Sequence, residues 1–405
     1  MRIALTVNFS PWSRYRGGGQ RSTHQLASAL ARRGHDVSVV FTKPPWEAIS
    51  VPSDLPYQVR WATLFDLTSR RAAPLRPLSA LSVARSLREL SRERALSVVH
   101  AQGEEGALAH RAVHCPVVLT ARYPSYPSAL LAGGLPPALR AWHLLRDPKY
   151  LALAHAARGA ALVCATSLSS ASMLERALDV DSARLRVVPN GVDPTFLARA
   201  RRPDAARGPL LFFGRIEYAK GVDVLLEAFA RSSHRERTLC VVGEGDALPR
   251  LQRAVRERAL EARVELQPWQ SADALSERLA GAALAVLPSR EESFGNAMVE
   301  AMAAGTPLIT TSAGSLPELV RDGETGVLVP ADDAESLRHA IDSLLADPAR
   351  AEALGRRARA HVEATHCWDA VAAQYEELYA EARASGSSIR VGAGPDLRPA
   401  EGEAV

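Results

Sequence analysis

The feature that most constrains this chain is an alternation. Short apolar, β-branched-rich runs recur along it, and each is followed by a longer stretch whose apolar residues return every three or four positions. Apolar runs of strand length separated by helical patterns specify parallel strands joined by crossover helices, an α/β architecture. Arg2–Val7 reads as the first strand and Gly17-Gly18-Gly19 as a flexible turn. Ser22–Arg33 follows as a helix with Leu26, Ala29 and Leu30 on one face, closed by Gly34 as its C-cap. Further strands are expected at Val37–Phe41, Ser97–His100, Val117–Thr120, Ala161–Ala165 and Leu185–Val188. Ala198–Pro209 holds several arginines, two prolines and a glycine with little apolar periodicity, and reads as a linker. A second set of strands then begins: Leu210–Phe213, Thr238–Val242, Arg263–Leu266, Ala283–Leu287, Leu308–Thr311 and Gly326–Val329, with helices such as Val222–Arg231 and Ala334–Leu345 between them. The reading is two doubly wound α/β domains, 1–197 and 210–367, a last helix at 368–384, and a Gly/Ser/Pro/Ala-rich tail at 385–405 expected to be disordered.

Composition agrees. A chain of 405 residues that is 47% hydrophobic and 23% charged can bury two cores. No apolar run is long enough to span a membrane, and the N-terminus reads as a strand in place of a signal peptide. A net charge of +4 is too mild to imply nucleic acid. Cys115, Cys164, Cys240 and Cys367 form no CxxC pair, so neither a zinc site nor a disulfide framework is expected, and each reads as a small core residue in a reducing cytoplasm. One segment stands apart. Residues 70–94 carry seven arginines against Glu89 and Glu93, interleaved with Leu78, Leu81, Val83 and Leu87. They read first as a solvated helix with one apolar side on the core. The alternative is a peripheral contact with anionic lipid headgroups.

Three motifs carry chemistry. Glu291-Glu292-Ser293-Phe294-Gly295-Asn296 follows the strand ending at Leu287, and Gly295-Asn296 suits the start of a helix running to Ala304. Free N–H groups at that start favour an anion, and Glu292 and Glu300 on either side could hold the hydroxyls of a sugar and a ribose. Phe213-Gly214-Arg215-Ile216-Glu217-Tyr218-Ala219-Lys220-Gly221 falls directly after the strand that opens the second domain. Ligands of open α/β sheets bind outside the carboxyl ends of strands, and two cations there, Arg215 and Lys220, suit a diphosphate. The loop Gly17-Gly18-Gly19 lacks the spacing of a dinucleotide fingerprint but leaves room for a phosphate or sugar to approach the backbone. Asn190-Gly191 reads first as a turn.

In order and spacing these segments, together with LASALARRGHDVSVV, VVPNGVD, VVGEGD and GETGVLV, resemble the retaining nucleotide-sugar glycosyltransferases of family 4. Glu292 and Glu300 stand at that family's E-x7-E spacing. The resemblance implies the two-domain glycosyltransferase-B (GT-B) fold, with the active site between the domains and the final helix crossing back to the first. It implies a UDP- or GDP-type sugar donor, a hydroxyl acceptor on a glycan, lipid-linked or small molecule, and no metal or other cofactor. Arg215 and Lys220 would neutralise the leaving diphosphate, Glu300 would bind the ribose, and Glu292 with the backbone of Ser293, Phe294 and Gly295 would hold the donor sugar, with Asn296 a further donor-binding residue. Gly18 and Gly19 from the first domain, and Gly214 and Gly243 from the second, would let the donor approach the backbone. Arg122, His100 and Asn190 are candidate cleft contacts. Thr120-Ala121-Arg122 departs from the family's T-x-H, and a guanidinium cannot serve as a base at neutral pH. The competing readings are another enzyme on the same fold, an epimerase or phosphorylase, and a non-catalytic nucleotide-sugar-binding module.

Overall fold

The structure, a computed structural model, describes residues 1–13, 18–65, 76–121 and 148–386. Two all-parallel sheets organise it. The first comprises β1 (Arg2–Val7), β2 (Asp36–Lys43), β3 (Gln58–Thr63), β4 (Val98–Ala101), β5 (Val117–Thr120), β6 (Leu162–Ala165) and β7 (Leu185–Val187), in the order β3-β2-β1-β4-β5-β6-β7. The second comprises β8 (Leu210–Phe213), β9 (Leu239–Val242), β10 (Val264–Gln267), β11 (Leu284–Leu287), β12 (Leu308–Thr311) and β13 (Val327–Val329), in the order β10-β9-β8-β11-β12-β13. Strands such as Leu-Leu-Phe-Phe in β8 and Leu-Ala-Val-Leu in β11 are buried throughout because helices cover both faces of a parallel sheet.

The expected α/β class and two doubly wound sheets are therefore present. The sequence reading omitted β3. It is an edge strand whose residues are mostly half-buried, so its pattern is weak. Gly34, with φ of 86°, ends the first helix as anticipated. That helix starts earlier than expected, at Gly18, so Gly18 and Gly19 belong to its first turn and not to a flexible loop. Gly17 lies outside the described residues.

The last helix, Trp368–Gly386, lays Val371, Ala372, Tyr375, Leu378, Tyr379 and Ala382 on the core of the first sheet, beside Ile3, Leu5, Leu26 and Leu30. Its outer side is anchored by Glu376, which accepts from Arg33 Nε and Nη2, both at 2.7 Å. These hydrogen bonds, with a further one from His35, hold the Glu376 carboxyl down at about 2. Ahead of it, Val192 and Phe196 already pack into the second core, and Arg202 N donates to Ala280 O across the segment read as a linker. Of the basic segment, the helix Arg76–Glu93 is described: Val83, Leu87 and Leu90 are buried, while Leu78 and Leu81 are exposed. Residues 70–75 and 387–405 lie outside the described residues. Among those described, no helix is long and apolar enough to cross a membrane.

Candidate active site

Strand order decides where a ligand can enter. In the second sheet β8 lies between β9 and β11, so the connections leaving β8 and β11 diverge to opposite sides and leave a crevice at their carboxyl ends. The two motifs singled out in the sequence are those two connections. Gly214, with φ of 138°, has open space where a Cβ would stand, which keeps its backbone accessible to a ligand. Gly243, with φ of 153°, would place a Cβ 1.9 Å from the Gly214 carbonyl oxygen, so its role in this structure is to let the two loops pack.

The β8 loop closes in a short 3-10 turn, Tyr218–Lys220, ended by Gly221 with φ of 65°. A Cβ on Gly221 would meet the Pro288 carbonyl oxygen at 2.0 Å, so the β8 and β11 loops touch there. This contact brings Lys220 and Glu292 together: Nζ donates to Oε1 at 2.5 Å, and Ser289 Oγ donates to the same oxygen at 3.1 Å. Arg290, between them in the sequence, was not among the candidates. Its guanidinium is 10% exposed. It donates to both Asp223 oxygens at 2.9 Å, to Asp332 Oδ1 at 2.6 Å and to the Tyr218 carbonyl at 2.5 Å, and lies 3.9 Å over the Tyr218 ring. Its backbone N–H donates to the Ala219 carbonyl. Arg290 thus ties the turn carrying Lys220 to the loop carrying Glu292. Arg215 extends into solvent, 58% exposed, with Glu217 at 2.9 Å as its salt-bridge partner.

The β11 loop ends at Gly295, with φ of 97°, which caps the helix Asn296–Ala303 without a side-chain hydrogen bond. The helix's leading N–H groups are thus left without a side-chain cap, as an anion site at a helix start requires. The Phe294 ring is buried in the second core, edge-on to His366 at 5.7 Å, so it supports from behind the loop whose backbone is the expected donor contact. Asn296 Oδ1 accepts from Asn190 Nδ2 of the first domain at 3.1 Å, and a Cβ on Gly18 would come within 3.0 Å of Asn296 Nδ2. Glu300 sits one turn further on, its side chain 14% exposed, with Arg21 of the first domain 3.8 Å away. Burial pushes its carboxyl up to about 7, with the Arg21 charge opposing and the Asp193 charge adding to the rise. A small open pocket of about 40 Å³ lies beside it, lined by Gly18, Arg21, Gln25, Asp193, Asn296 and Trp368 among others. Arg21 and Asp193 escaped the sequence reading because nothing local marks them: the approach of the first domain brings Arg21 to Glu300, and the packing of Val192 and Phe196 into the second core brings Asp193 there.

His100 is corrected. It is fully buried. Nδ1 shares a 2.7 Å hydrogen bond with the Tyr379 hydroxyl and Nε2 one of 2.7 Å with Thr120 Oγ1, and its ring lies 4.9 Å from that of Tyr375. It joins the sheet to the last helix, and its burial keeps the ring from opening onto solvent. Asn190 is buried too, but reaches across the domains as described. Arg122 lies outside the described residues.

Two family models match in succession: Glycosyltransferase Family 4 over residues 16–196, and Glycosyl transferases group 1 over residues 200–361. Glycogen synthase of Mycobacterium tuberculosis is 30% identical over 405 aligned residues, covering 91% of this chain and 92% of that protein. The chain belongs to glycosyltransferase family 4. This glycosyltransferase also shares its fold with sucrose-phosphate synthase from Thermosynechococcus elongatus, with a TM-score of 0.78, 24% identity, and coverage of 95% of this chain and 99% of that one. Anabaena HepE, solved in complex with UDP-glucose, superposes with a TM-score of 0.73 at 20% identity, covering 94% of this chain and 100% of that one. The two-domain fold is GT-B, and the enzyme transfers a glycosyl group; of the readings open from the sequence, transfer is the one its family supports.

Proposed function

We propose that this glycosyltransferase moves a sugar from a nucleoside diphosphate donor, of UDP or GDP type, to a hydroxyl acceptor, with retention at the anomeric carbon and without a metal ion. The observation that carries the reading is the meeting of Lys220 and Glu292 at the carboxyl ends of β8 and β11, beside the start of the helix Asn296–Ala303 that carries Glu300, with Arg215 on the same β8 loop and reaching into solvent. Breaking the anomeric C–O bond develops negative charge on the departing diphosphate, and fixed cations and N–H dipoles aimed at that charge lower the barrier most. Lys220, now paired with Glu292, would exchange that partner for a phosphate oxygen, leaving Glu292 to accept from donor-sugar hydroxyls. Glu300 would take the ribose. A relative named glycogen synthase and a structural neighbour solved with UDP-glucose favour a hexosyl donor. The test is transfer from a panel of UDP- and GDP-sugars, with the product anomer read by NMR and the assay repeated in EDTA. Retained configuration and EDTA-resistant turnover are expected; inverted product, or a loss that magnesium or manganese restores, overturns the corresponding part.

A second observation bears on where the enzyme works. The helix Arg76–Glu93 leaves Leu78 and Leu81 exposed on the same element as Arg85 and Arg88, which suits a peripheral contact with the anionic cytoplasmic face of a membrane. Co-flotation with anionic but not neutral vesicles tests it.

A further inference from the structure

The helix Leu168–Leu178 starts where β6 of the first domain ends, with Ser167 as its N-cap. The leading N–H groups of a helix have no partner within it. Here Ser170 N donates to Ser167 Oγ at 3.0 Å, the ordinary capping bond. Leu168 N and Ser169 N donate elsewhere, to the two carboxylate oxygens of Glu318 at 2.6 and 2.7 Å. Glu318 belongs to the second domain, on the short helix Leu316–Leu319. The start of a first-domain helix is therefore satisfied by the other domain, by a charge of the sign that its dipole favours.

Beside this contact the same cap holds the donor loop. Ser167 Oγ and Ser170 Oγ both donate to the Ser293 carbonyl, at 2.8 and 2.7 Å. The neighbouring Glu292 carbonyl accepts from Ser315 N at 3.1 Å, three residues before Glu318. Gly314, with φ of 57°, would place a Cβ 2.2 Å from that Glu292 oxygen, so the turn is packed flat on the loop. Glu292, Ser293 and Glu318 thus form one unit on the second domain, and that unit meets one helix start on the first.

We propose that Glu318, Ser167 and Ser170 form a latch between the domains that positions the donor loop at Ser293 and closes as the donor fills the cleft. Glu318 is a positioning residue: it acts through the loop. The inference rests on the reading that this loop binds the donor. Opening the domains takes the Glu318 acceptor away from Leu168 N and Ser169 N and returns them to water. These two amides therefore report closure directly.

The test follows amide hydrogen exchange at Leu168 and Ser169 in the full chain, with and without UDP and GDP, alongside donor kinetics. In the unaltered enzyme both amides are protected, and the nucleotide that binds increases the protection. Glu318→Ala lowers protection at these two positions by about tenfold or more, leaves Leu174 and Ala177 in the same helix unchanged, and raises the donor KM by about tenfold. Glu318→Gln, which keeps one acceptor oxygen, recovers part of both effects. Should Glu318→Ala fail to fold, Ser170→Ala removes one of the two bonds to Ser293 and should raise the donor KM without exposing the helix start. The latch is overturned if the two amides exchange as free amides in the unaltered enzyme with and without nucleotide, or if Glu318→Ala changes neither protection nor donor KM. Calorimetry of the unaltered enzyme with UDP and GDP keeps the two ideas apart: no binding sinks the donor reading, while protection in the unliganded chain still decides the latch.

Discussion

Replacing Arg290 by methionine should damage catalysis more than stability. The guanidinium is nearly buried and makes four hydrogen bonds to two carboxylates and a carbonyl. Hydrogen bonds to charged groups contribute ~1.5–3 kcal/mol each when buried. Its partners are not buried: the side chains of Asp223 and Asp332 are 47% and 56% exposed, so water takes over much of what the methionine cannot supply. A net loss of about 2 kcal/mol is therefore expected at pH 7, including the stacking on Tyr218. Burial alone would raise the Asp223 carboxyl, but hydrogen bonding and charge from Arg290 outweigh it and hold it below the ordinary value. A depressed carboxylate adds stability above its unfolded pKa and loses it as pH falls through the folded one, so the gap between the two proteins should narrow toward pH 3. The catalytic effect follows from geometry. Without the Arg290 guanidinium the turn Tyr218–Lys220 is held to the β11 loop by the backbone bond from residue 290 to the Ala219 carbonyl and by the Lys220–Glu292 pair alone, and displacement of Lys220 by about 1 Å costs on the order of a hundredfold in rate. Urea unfolding at pH 7 and pH 3 measures the first effect, and donor kcat and KM the second. Arg290→Lys, with one charge and no fork, should fall between the two proteins. If Arg290→Met unfolds as predicted but turns over within twofold of the parent, Arg290 only fastens surface loops and the positioning argument fails.

Two further outcomes follow. Lys220→Ala should cut kcat by about a hundredfold or more, and Arg215→Ala less, because Lys220 is the more enclosed of the two cations; near-normal turnover in both would refute the diphosphate site. Glu300 holds its proton up to about pH 7, so folding takes up a proton between its ordinary value and 7 and stability falls as pH rises through that window; ribose binding to the ionised form should strengthen nucleotide affinity from pH 6 to 8, and Glu300→Gln should remove that part of the slope, as calorimetry in the two proteins would show.

The sequence by itself determined most of the elements and which charged residues the loops carry. β5, β8 and β12 fall where the apolar runs place them, and the connections after β8 and β11 carry Arg215, Lys220, Glu292 and Glu300, because strand period and turn residues are local properties. Where local pattern was weak, as in the half-buried edge strand β3, the sequence was silent. What only the tertiary structure decided is which side chains face the cleft. His100 stands at a strand end, as a cleft residue would, yet the last helix, 279 residues away at Tyr379, buries it. Phe294 sits inside the donor motif but points into the second core. Arg21 and Glu318 carry no motif at all. Arg21 gains meaning from Glu300, and Glu318 from the helix start at Leu168, each in the opposite domain. Such contacts depend on two separately folded sheets coming together, and spacing along a chain does not encode the distance between domains.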